Sequence, residues 1–238
     1  MHPLPAHVKL VAALVFVLLV VLTPGQIWWA WVVYAATVAA LGRVAGLTLG
    51  SLRRAALVEL PFLLFALMLP LVVPGEQVDV LGLSLSVAGL AGAWNLLAKA
   101  TVGVLVSFSL AATTAPRDLL AGLQRLRMPT LLVQIMSFMV RYLGVIEAEL
   151  RRMHVARLSR GFLARDIRSW GVLARSAGAL FIRSYERGER VHLAMLSRGY
   201  TGQLPLLGQP ATARQWLAAS ALPATGAAVC TAAWRLGG

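Results

Sequence analysis

The stretch VAGLAGAWNLLAKATVGVLVSFSLAA, from Val87 to Ala112, holds a single ionisable side chain, Lys99. A helix of about 20 apolar residues crosses the hydrocarbon core of a bilayer. Four further apolar runs occur, from Val8 to Leu22, Ile27 to Leu41, Ala55 to Val73 and Trp216 to Trp234. Charged residues make up only 13% of the 238 residues, against roughly a quarter in soluble proteins. The sequence therefore predicts an all-α membrane protein with about five transmembrane helices.

Loop charges predict how these helices are oriented. Lys9 lies at the N-terminus, and Arg43, Arg53 and Arg54 lie between the second and the third helix, whereas the charged residues of the 74–86 loop are both acidic. Cytoplasmic loops carry an excess of Lys and Arg. We therefore expect a multi-pass protein of a bacterial cytoplasmic (inner) membrane, with a cytoplasmic N-terminus and an external 74–86 loop.

The segment before the last transmembrane helix is strongly basic. Residues 1–115 are expected to hold four transmembrane helices, 116–213 a cytoplasmic helical module, and 214–238 the last helix. From Arg117 to Arg198 the chain has fifteen Arg against six acidic residues. Such a segment suits nucleic acid, anionic lipid or an acidic protein partner. Attachment to membrane helices argues against nucleic acid, and Arg suits bidentate contact with carboxylate or phosphate.

Gly and Pro residues divide this module into predicted helices over 117–126, 130–159 and 169–197, followed by a loop with Pro205, Gly208 and Pro210. Its apolar part, LLVQIMSFMVRYLGVI at 131–146, is interrupted by Gln134 and Arg141 and is shorter than about 20 residues. A crossing there would put the arginines that follow outside the cell, against the charge rule. We therefore expect an amphipathic or buried helix lying under the membrane.

Two passages of the module match each other 38 residues apart. RMHVARLSRGF runs from Arg152 to Phe162, and RVHLAMLSRGY runs from Arg190 to Tyr200, with seven identical positions in eleven. Glycine suits the left-handed position that closes a helix, and a following apolar residue packs back on the last turn. Two well-capped helices would explain Arg-Gly-aromatic but not the matching residues ahead of it. The repeat therefore predicts two helix tips that present the same surface to two similar partners.

The residues expected to dock these partners are Ser159, Arg160, Gly161, Ser197, Arg198 and Gly199, with possible support from His154, His192, Arg152 and Arg190. The two histidines are interpreted as polar interface residues, because a metal site shared between them is disfavoured by their placement on different helices. No catalytic residue, cofactor or metal is expected. The chain has no Gly-x-x-x-x-Gly-Lys-Ser/Thr phosphate loop, so it is not expected to hydrolyse ATP.

The paired Ser-Arg-Gly ends resemble the paired Ala-Arg-Gly motifs of the transmembrane T component (EcfT/CbiQ family) of energy-coupling factor transporters, importers of the ATP-binding cassette (ABC) class. AMLSRGYTG at 194–202 is especially similar to the cobalt-type CbiQ permease. Further matches are Thr113-Thr114 with Pro116, LQRLRMP at 123–129, and Arg141-Tyr142. The resemblance extends from about the third transmembrane helix onward, whereas the first two are generic. Ser replaces the family's usual Ala at 159 and 197, and both residues are small.

This resemblance implies a role in energy coupling. In that family the T component links a substrate-binding membrane subunit, the S component, to two ABC ATPase subunits, which form a homodimer or a heterodimer. Arg160 and Arg198 would each enter a groove on one ATPase and meet acidic groups there. ATPase closure would move the long helices and tilt the S component. Cobalt is the expected substrate, with nickel, biotin or another vitamin as alternatives, and the metal would bind the S component.

Two functions of other classes compete with this interpretation. A membrane-anchored scaffold could bind anionic lipid through its basic helices, but lipid binding does not require a repeated eleven-residue tip. An autonomous channel or carrier would need polar or acidic side chains along several transmembrane helices, and apart from Glu59, Asn95 and Lys99 these helices are nearly bare of them. Lys99 is expected to have a structural role, and its pairing with Glu59 would need a favourable helix tilt.

Overall fold

The computed structural model describes residues 4–25, 27–80, 83–162, 169–202 and 211–237. Eight helices and two strands lie in these ranges: α1 (Ala6–Leu22), α2 (Trp28–Ala45), α3 (Leu49–Val72), β1 (Gln77–Val80), β2 (Leu83–Ser86), α4 (Val87–Thr113), α5 (Pro116–Arg125), α6 (Thr130–Leu158), α7 (Trp170–Leu196) and α8 (Ala213–Gly237). They confirm the all-α membrane fold. Pro205, Gly208 and Pro210, predicted to form a loop, lie outside the described residues.

The chain forms two compact units. The first comprises Met1–Gly122 and Gly208–Gly238, and the second comprises Leu123–Leu207. The predicted division at residues 116 and 213 separates membrane helices from a cytoplasmic module. Two compact units do not show where a membrane lies, so this division stays a prediction.

The first unit is a bundle of α1, α2, α3, α4 and α8. Its core lies where α1, α2, α4 and α8 meet, around Phe16, Tyr34, Val106 and Val229. The rings of Phe16 and Tyr34 meet edge to face with their centroids 5.8 Å apart, an arrangement that adds about 0.5–1.5 kcal/mol to the burial of their surface. α3 packs on α4, and Gly89 allows this because a Cβ atom there would lie 2.6 Å from the backbone of Pro70.

Two side chains from other helices satisfy C-terminal carbonyl groups of α1, and a third donates to the connection that follows this helix. The Lys99 Nζ donates to the Val21 carbonyl at 2.8 Å, the Trp234 indole donates to the Leu22 carbonyl at 3.2 Å, and the Trp31 indole donates to the Gly25 carbonyl at 3.2 Å. The last carbonyls of a helix have no partner within it, and a cation is favourable at this negative end. Lys99 thus joins α4 to α1.

Glu59, the acidic residue of α3, accepts a hydrogen bond from the Thr101 hydroxyl of α4. The pairing of Glu59 with Lys99 that the sequence raised is replaced by two separate contacts, because each side chain reaches a different neighbour. Lys99 and Glu59 therefore each bind a neighbouring helix, and both contacts are structural.

The 74–86 connection contains a β-hairpin, where the sequence predicted a plain loop. β1 and β2 pair antiparallel, with Gln77 opposite Ser86 and Val78 opposite Leu85. The Ser86 side chain then accepts a hydrogen bond from the Gly89 N–H at 3.2 Å and caps α4, as serine commonly does at helix starts. Val and Leu alternate with polar residues here, which is the pattern of a strand, but each strand has only four residues.

Length and hydropathy indicate five helices that could cross a membrane: α2, α3, α4, α6 and α8. The predicted number of five is thus confirmed. The prediction counted α1 where the structure gives α6. α1 has 17 residues and falls short, although it packs inside the bundle against α8 and α4. α6 is included because the whole helix is 29 residues long and continues past the short apolar run.

Candidate functional site: two matching helix tips

The C-terminus of α6 is closed by a Schellman motif. Gly161 has a left-handed φ of 73°, as this motif requires at the residue after the cap. The Phe162 N–H donates to the Arg157 carbonyl at 3.1 Å, and the Gly161 N–H donates to the Leu158 carbonyl at 2.9 Å. These bonds satisfy carbonyls that have no partner within the helix, and they hold Arg160 at the helix end.

The C-terminus of α7 has the same backbone conformation. Gly199 has a φ of 81°. The Tyr200 N–H donates to the Met195 carbonyl, and the Gly199 N–H donates to the Leu196 carbonyl, both at 3.0 Å. The sequence repeat is therefore a repeat of local structure, and the predicted left-handed glycines are confirmed.

The two serines also adopt matching conformations. Ser159 has φ −64° and ψ −19°, and Ser197 has φ −64° and ψ −18°. Their hydroxyls donate to the carbonyls of Ala156 at 3.1 Å and Ala194 at 3.0 Å. Because each hydroxyl turns back onto its own helix, the serine leaves a small surface beside the arginine, much as alanine would.

Each tip exposes an arginine next to apolar side chains. Arg160 and Arg198 are both exposed. Within the part of the chain that the structure describes, neither guanidinium takes part in an ion pair. Exposed apolar residues occupy equivalent positions in the two tips: Val155 and Leu158 in the first, Leu193 and Leu196 in the second. Arginine beside apolar surface is typical of the centre of a protein interface.

His154 and His192 are exposed at equivalent positions. The His192 ring meets the Tyr200 ring edge-on, with 6.5 Å between centroids. Among the described residues, no three His, Cys, Asp or Glu side chains come together as metal ligands. The histidines thus belong to the polar surface of the tips.

Three side-chain hydrogen bonds show that α6 and the chain from α7 onward run antiparallel. They join Arg157 to Ser176 at 2.9 Å, Glu149 to Arg183, and Gln134 to Tyr200 at 2.8 Å. As the residue number falls along α6, it rises along its partner. Gln134 also donates to the Gly202 carbonyl at 2.6 Å.

The antiparallel pairing places the two tips at opposite ends of the helix pair. The second tip lies beside Gln134, because the Tyr200 hydroxyl donates to that side chain. From Gln134 to Arg160, α6 extends about 39 Å at about 1.5 Å per residue. Arg160 and Arg198 are therefore about 40 Å apart. Exchanging the two helices maps one tip onto the other, so the pair has an approximate two-fold symmetry.

Glu149 connects the two helices through arginines on both sides. Its carboxylate accepts hydrogen bonds from Arg152, at 2.7 and 3.1 Å, and from Arg183 of α7. Bonds to two guanidinium groups lower the pKa of Glu149 below its usual value, because they favour the ionised carboxylate. Arg152 is thus engaged in the helix pair, whereas its repeat equivalent Arg190 lines a groove of 460 Å³ between the helices. The two predicted supporting arginines have different surroundings.

The pairing also bears on whether α6 crosses the membrane. The part of α7 that lies beside residues 131–146 of α6 carries three charged residues, Arg187, Glu189 and Arg190. A charged side chain at the bilayer centre costs about 2.5–3.5 kcal/mol even on the most lenient scale. These charges would make a membrane crossing by the helix pair costly, whereas α6 alone is apolar enough to cross, so the position of this segment under the membrane stays a prediction.

The sequence did not indicate the residues that join the helices. In the sequence Gln134 only interrupts an apolar run, Glu149 is one of six acidic residues between Arg117 and Arg198, and Ser176 belongs to no recognisable motif. The i,i+3 spacing of Glu149 and Arg152 signals an ion pair within one helix. Nothing local signals the partner on α7, since Arg183 is 34 residues further along.

A bundle of apolar helices with a separate, arginine-rich helix pair defines a multi-pass membrane protein rather than a soluble one. Comparison with protein families makes the class particular: the chain belongs to the CbiQ family, described as cobalt transport proteins, whose model matches residues 1–207. As a member of this family it is a transporter component and not an enzyme. The match includes α1 and α2, so the expectation that the first two helices are generic is wrong.

Several curated proteins are similar to part of the chain, and two of them are named as transport proteins of this kind. An uncharacterised protein of Methanocaldococcus jannaschii is 37% identical over 108 residues, covering 44% of this chain and 39% of the relative. The cobalt transport protein CbiQ of Rhodobacter capsulatus is 29% identical over 126 residues, covering 53% and 52%. The energy-coupling factor transporter transmembrane protein EcfT of Bacillus selenitireducens is 29% identical over 125 residues, covering 48% and 47%. The chain thus spans about half or less of the length of these relatives.

Proposed function

We propose that this chain is the T component of an energy-coupling factor importer, which transmits motion from two ABC ATPase subunits to a substrate-binding S component for cobalt uptake. Membership of the CbiQ family and similarity to a protein named EcfT support this role. One observation supports this role most strongly. Two tips with the same backbone conformation, each exposing an arginine, lie at opposite ends of one helix pair.

The symmetry of the helix pair suits a pair of similar subunits. Most closed assemblies of two like chains have a two-fold axis, so each chain presents the same surface once. An antiparallel helix pair with matching tips has the same symmetry in approximation. Two identical ATPase subunits, or two similar ones, would each receive one tip, with the receiving grooves about 40 Å apart.

The chemistry of the tips predicts the character of those grooves. An exposed guanidinium binds carboxylate through two parallel hydrogen bonds. Gly161 and Gly199 leave open space beside the arginines, since a Cβ atom at either would meet nothing within 4 Å. A partner can therefore approach the helix end closely. Losing one side of a buried arginine–carboxylate pair at an interface costs about 2–5 kcal/mol.

The membrane arrangement completes the proposal. Residues 1–115 and 214–238 would hold transmembrane helices of a bacterial inner membrane, and residues 116–213 would form the coupling module on the cytoplasmic side, where the charge rule puts its arginines. The S component would bind the metal and would contact this chain within the bilayer. Cobalt is favoured over nickel, biotin or another vitamin by the description of the family and by the name of the Rhodobacter relative.

Removing the tip arginines tests the docking directly. The whole complex is purified with Arg160→Ala, Arg198→Ala, both together, or the control Arg151→Ala. Each single tip variant is expected to assemble but to couple ATP hydrolysis to cobalt uptake poorly, and the double variant is expected to lose the ATPases during purification. Arg151 is exposed, and among the residues that the structure describes it pairs only with Glu147 on its own helix, a contact that contributes about 0–1 kcal/mol.

Two outcomes would contradict the proposal. If Arg151→Ala releases the ATPases as readily as the double variant, the helices act as a diffuse basic surface, and the lipid-binding scaffold is favoured. If the double variant retains both ATPases and full coupling, the tips are not the docking sites.

A further inference from the structure

A second site lies in the bundle, in a groove of 540 Å³ between α2 and α4. On α2 the groove is lined by residues one helical turn apart, including Trp31, Ala35 and Ala39, and on α4 by Trp94 and Ala98 in the same manner. Small side chains at the middle positions leave the space between the two helices unfilled. The groove therefore runs along the faces of two helices and reaches Leu47 just after α2.

The two ends of the groove differ in chemistry. Trp31 and Trp94 line one end, whereas Arg43 and Leu47 line the other, where α2 finishes. From Trp31 to Arg43 the helix rises about 18 Å at about 1.5 Å per residue. One leaflet of a bilayer has a hydrocarbon depth of about 15 Å, half of the whole core. The groove is thus as long as one leaflet is deep and has a cation at one end.

The end with Arg43 carries an excess of positive charge. Arg43, Arg53 and Arg54 are all exposed around the short turn between α2 and α3. Among the described residues none of the three forms an ion pair. The next acidic residue along the chain, Glu59, accepts a hydrogen bond from Thr101. This end is therefore suited to an anion.

We propose that this groove binds an anionic phospholipid, with one acyl chain along α2 and α4 and the phosphate on the Arg43 guanidinium. An apolar groove open to the bilayer gains dispersion contacts when a chain fills it. Arginine binds phosphate through paired hydrogen bonds, and basic pockets between membrane helices hold anionic headgroups. The groove has an apolar length and a cation at one end, and an anionic phospholipid has an apolar chain and a charged headgroup at one end. This inference does not depend on the proposed function.

Two variants at exposed positions test the two halves of the site. Arg43→Ala removes the headgroup contact. Ala39→Phe fills the channel, and Ala39 is exposed within the groove, so the bundle core is not altered. The matched controls are Arg235→Ala, which removes an exposed arginine from the last turn of α8, and Ala36→Phe, which adds the same ring to a neighbouring exposed position of α2 that does not line the groove.

Each purified full-length chain is placed in nanodiscs of phosphatidylcholine with a few per cent of phosphatidylglycerol, released into the gas phase, and analysed by native mass spectrometry. The unaltered chain and both controls are expected to retain about one phosphatidylglycerol in preference to phosphatidylcholine. Arg43→Ala is expected to reduce this preference about tenfold, and Ala39→Phe is expected to reduce retention of either lipid.

Retention in proportion to the lipid mixture by the unaltered chain would overturn the headgroup assignment. Equal retention by Ala39→Phe and Ala36→Phe would overturn the channel. A cysteine at Ala39 that crosslinks to a helix of another subunit in the assembled transporter would show that a protein fills the groove, and the lipid proposal would then be wrong.

Discussion

Gly199→Ala tests whether the backbone conformation of the second tip presents Arg198. Gly199 has a φ of 81°, and an added Cβ atom would meet nothing within 4 Å. The substitution therefore causes no clash with neighbours, and its cost is that of a left-handed L-residue, about 1–2 kcal/mol. The charge and length of the Arg198 side chain stay unchanged.

The size of the effect can be derived from the cap itself. Opening the cap breaks the hydrogen bonds from Gly199 to Leu196 and from Tyr200 to Met195, and each contributes about 0.5–1.5 kcal/mol. A strain of 1–2 kcal/mol is comparable with their sum, so the last turn should open about 5–30 times more often. Gly199→Asn should have a smaller effect, because asparagine tolerates this conformation.

Amide hydrogen exchange measures this opening without any partner. The Tyr200 amide is expected to exchange about 5–30 times faster in Gly199→Ala than in the unaltered chain. Gly178→Ala is the matched control, because Gly178 lies inside α7 and also has open space around it. Alanine there should stabilise the helix by about 0.5–1 kcal/mol and leave the Tyr200 amide unchanged.

Two results would refute the reasoning. If the Tyr200 amide exchanges at the same rate in Gly199→Ala, the glycine is not needed for the cap. If Gly178→Ala accelerates exchange as much, the effect belongs to the whole helix. Should exchange accelerate as expected while ATPase binding stays unchanged, the cap would be understood but its role in docking would be wrong.

Three further outcomes are expected. Lys99→Met removes the donor to the α1 carbonyl and should destabilise the bundle by about 1.5–3 kcal/mol, measured as a lower melting temperature in detergent; an unchanged melting temperature would contradict the capping role. The pKa of Glu149 is lowered in the folded chain, so its stabilising contribution is present above about pH 4.5 and is lost as the pH falls through the pKa of the folded state. Glu149→Gln should abolish this pH dependence, measured by fluorescence as the separation of α6 and α7. A cysteine at Gln77 should react with an impermeant reagent only from outside and one at Ser169 only from the cytoplasm, and external labelling of Ser169 would mean that α6 crosses the membrane.

The sequence by itself determined that the chain forms apolar helices able to cross a membrane, because a bilayer leaves a chain few choices, although it counted α1 and not α6 among them. A backbone without water must satisfy its hydrogen bonds internally, and a run such as 87–112 does so only as a helix. The tips were also predictable. Gly161 and Gly199 are the residues that tolerate a left-handed φ, and the following aromatic residue completes a local motif whose bonds span six residues.

Only the tertiary structure decided what these elements do together. The repeat indicated two equal tips but not that they lie about 40 Å apart, since that follows from the antiparallel pairing of Gln134 with Tyr200 and Glu149 with Arg183. Lys99 likewise appeared as an isolated charge in an apolar run, and its partner is a carbonyl 78 residues away. Local patterns reflect interactions within a few residues, such as caps and helix faces. Contacts between distant segments depend on how whole helices pack, and the order of residues does not state this.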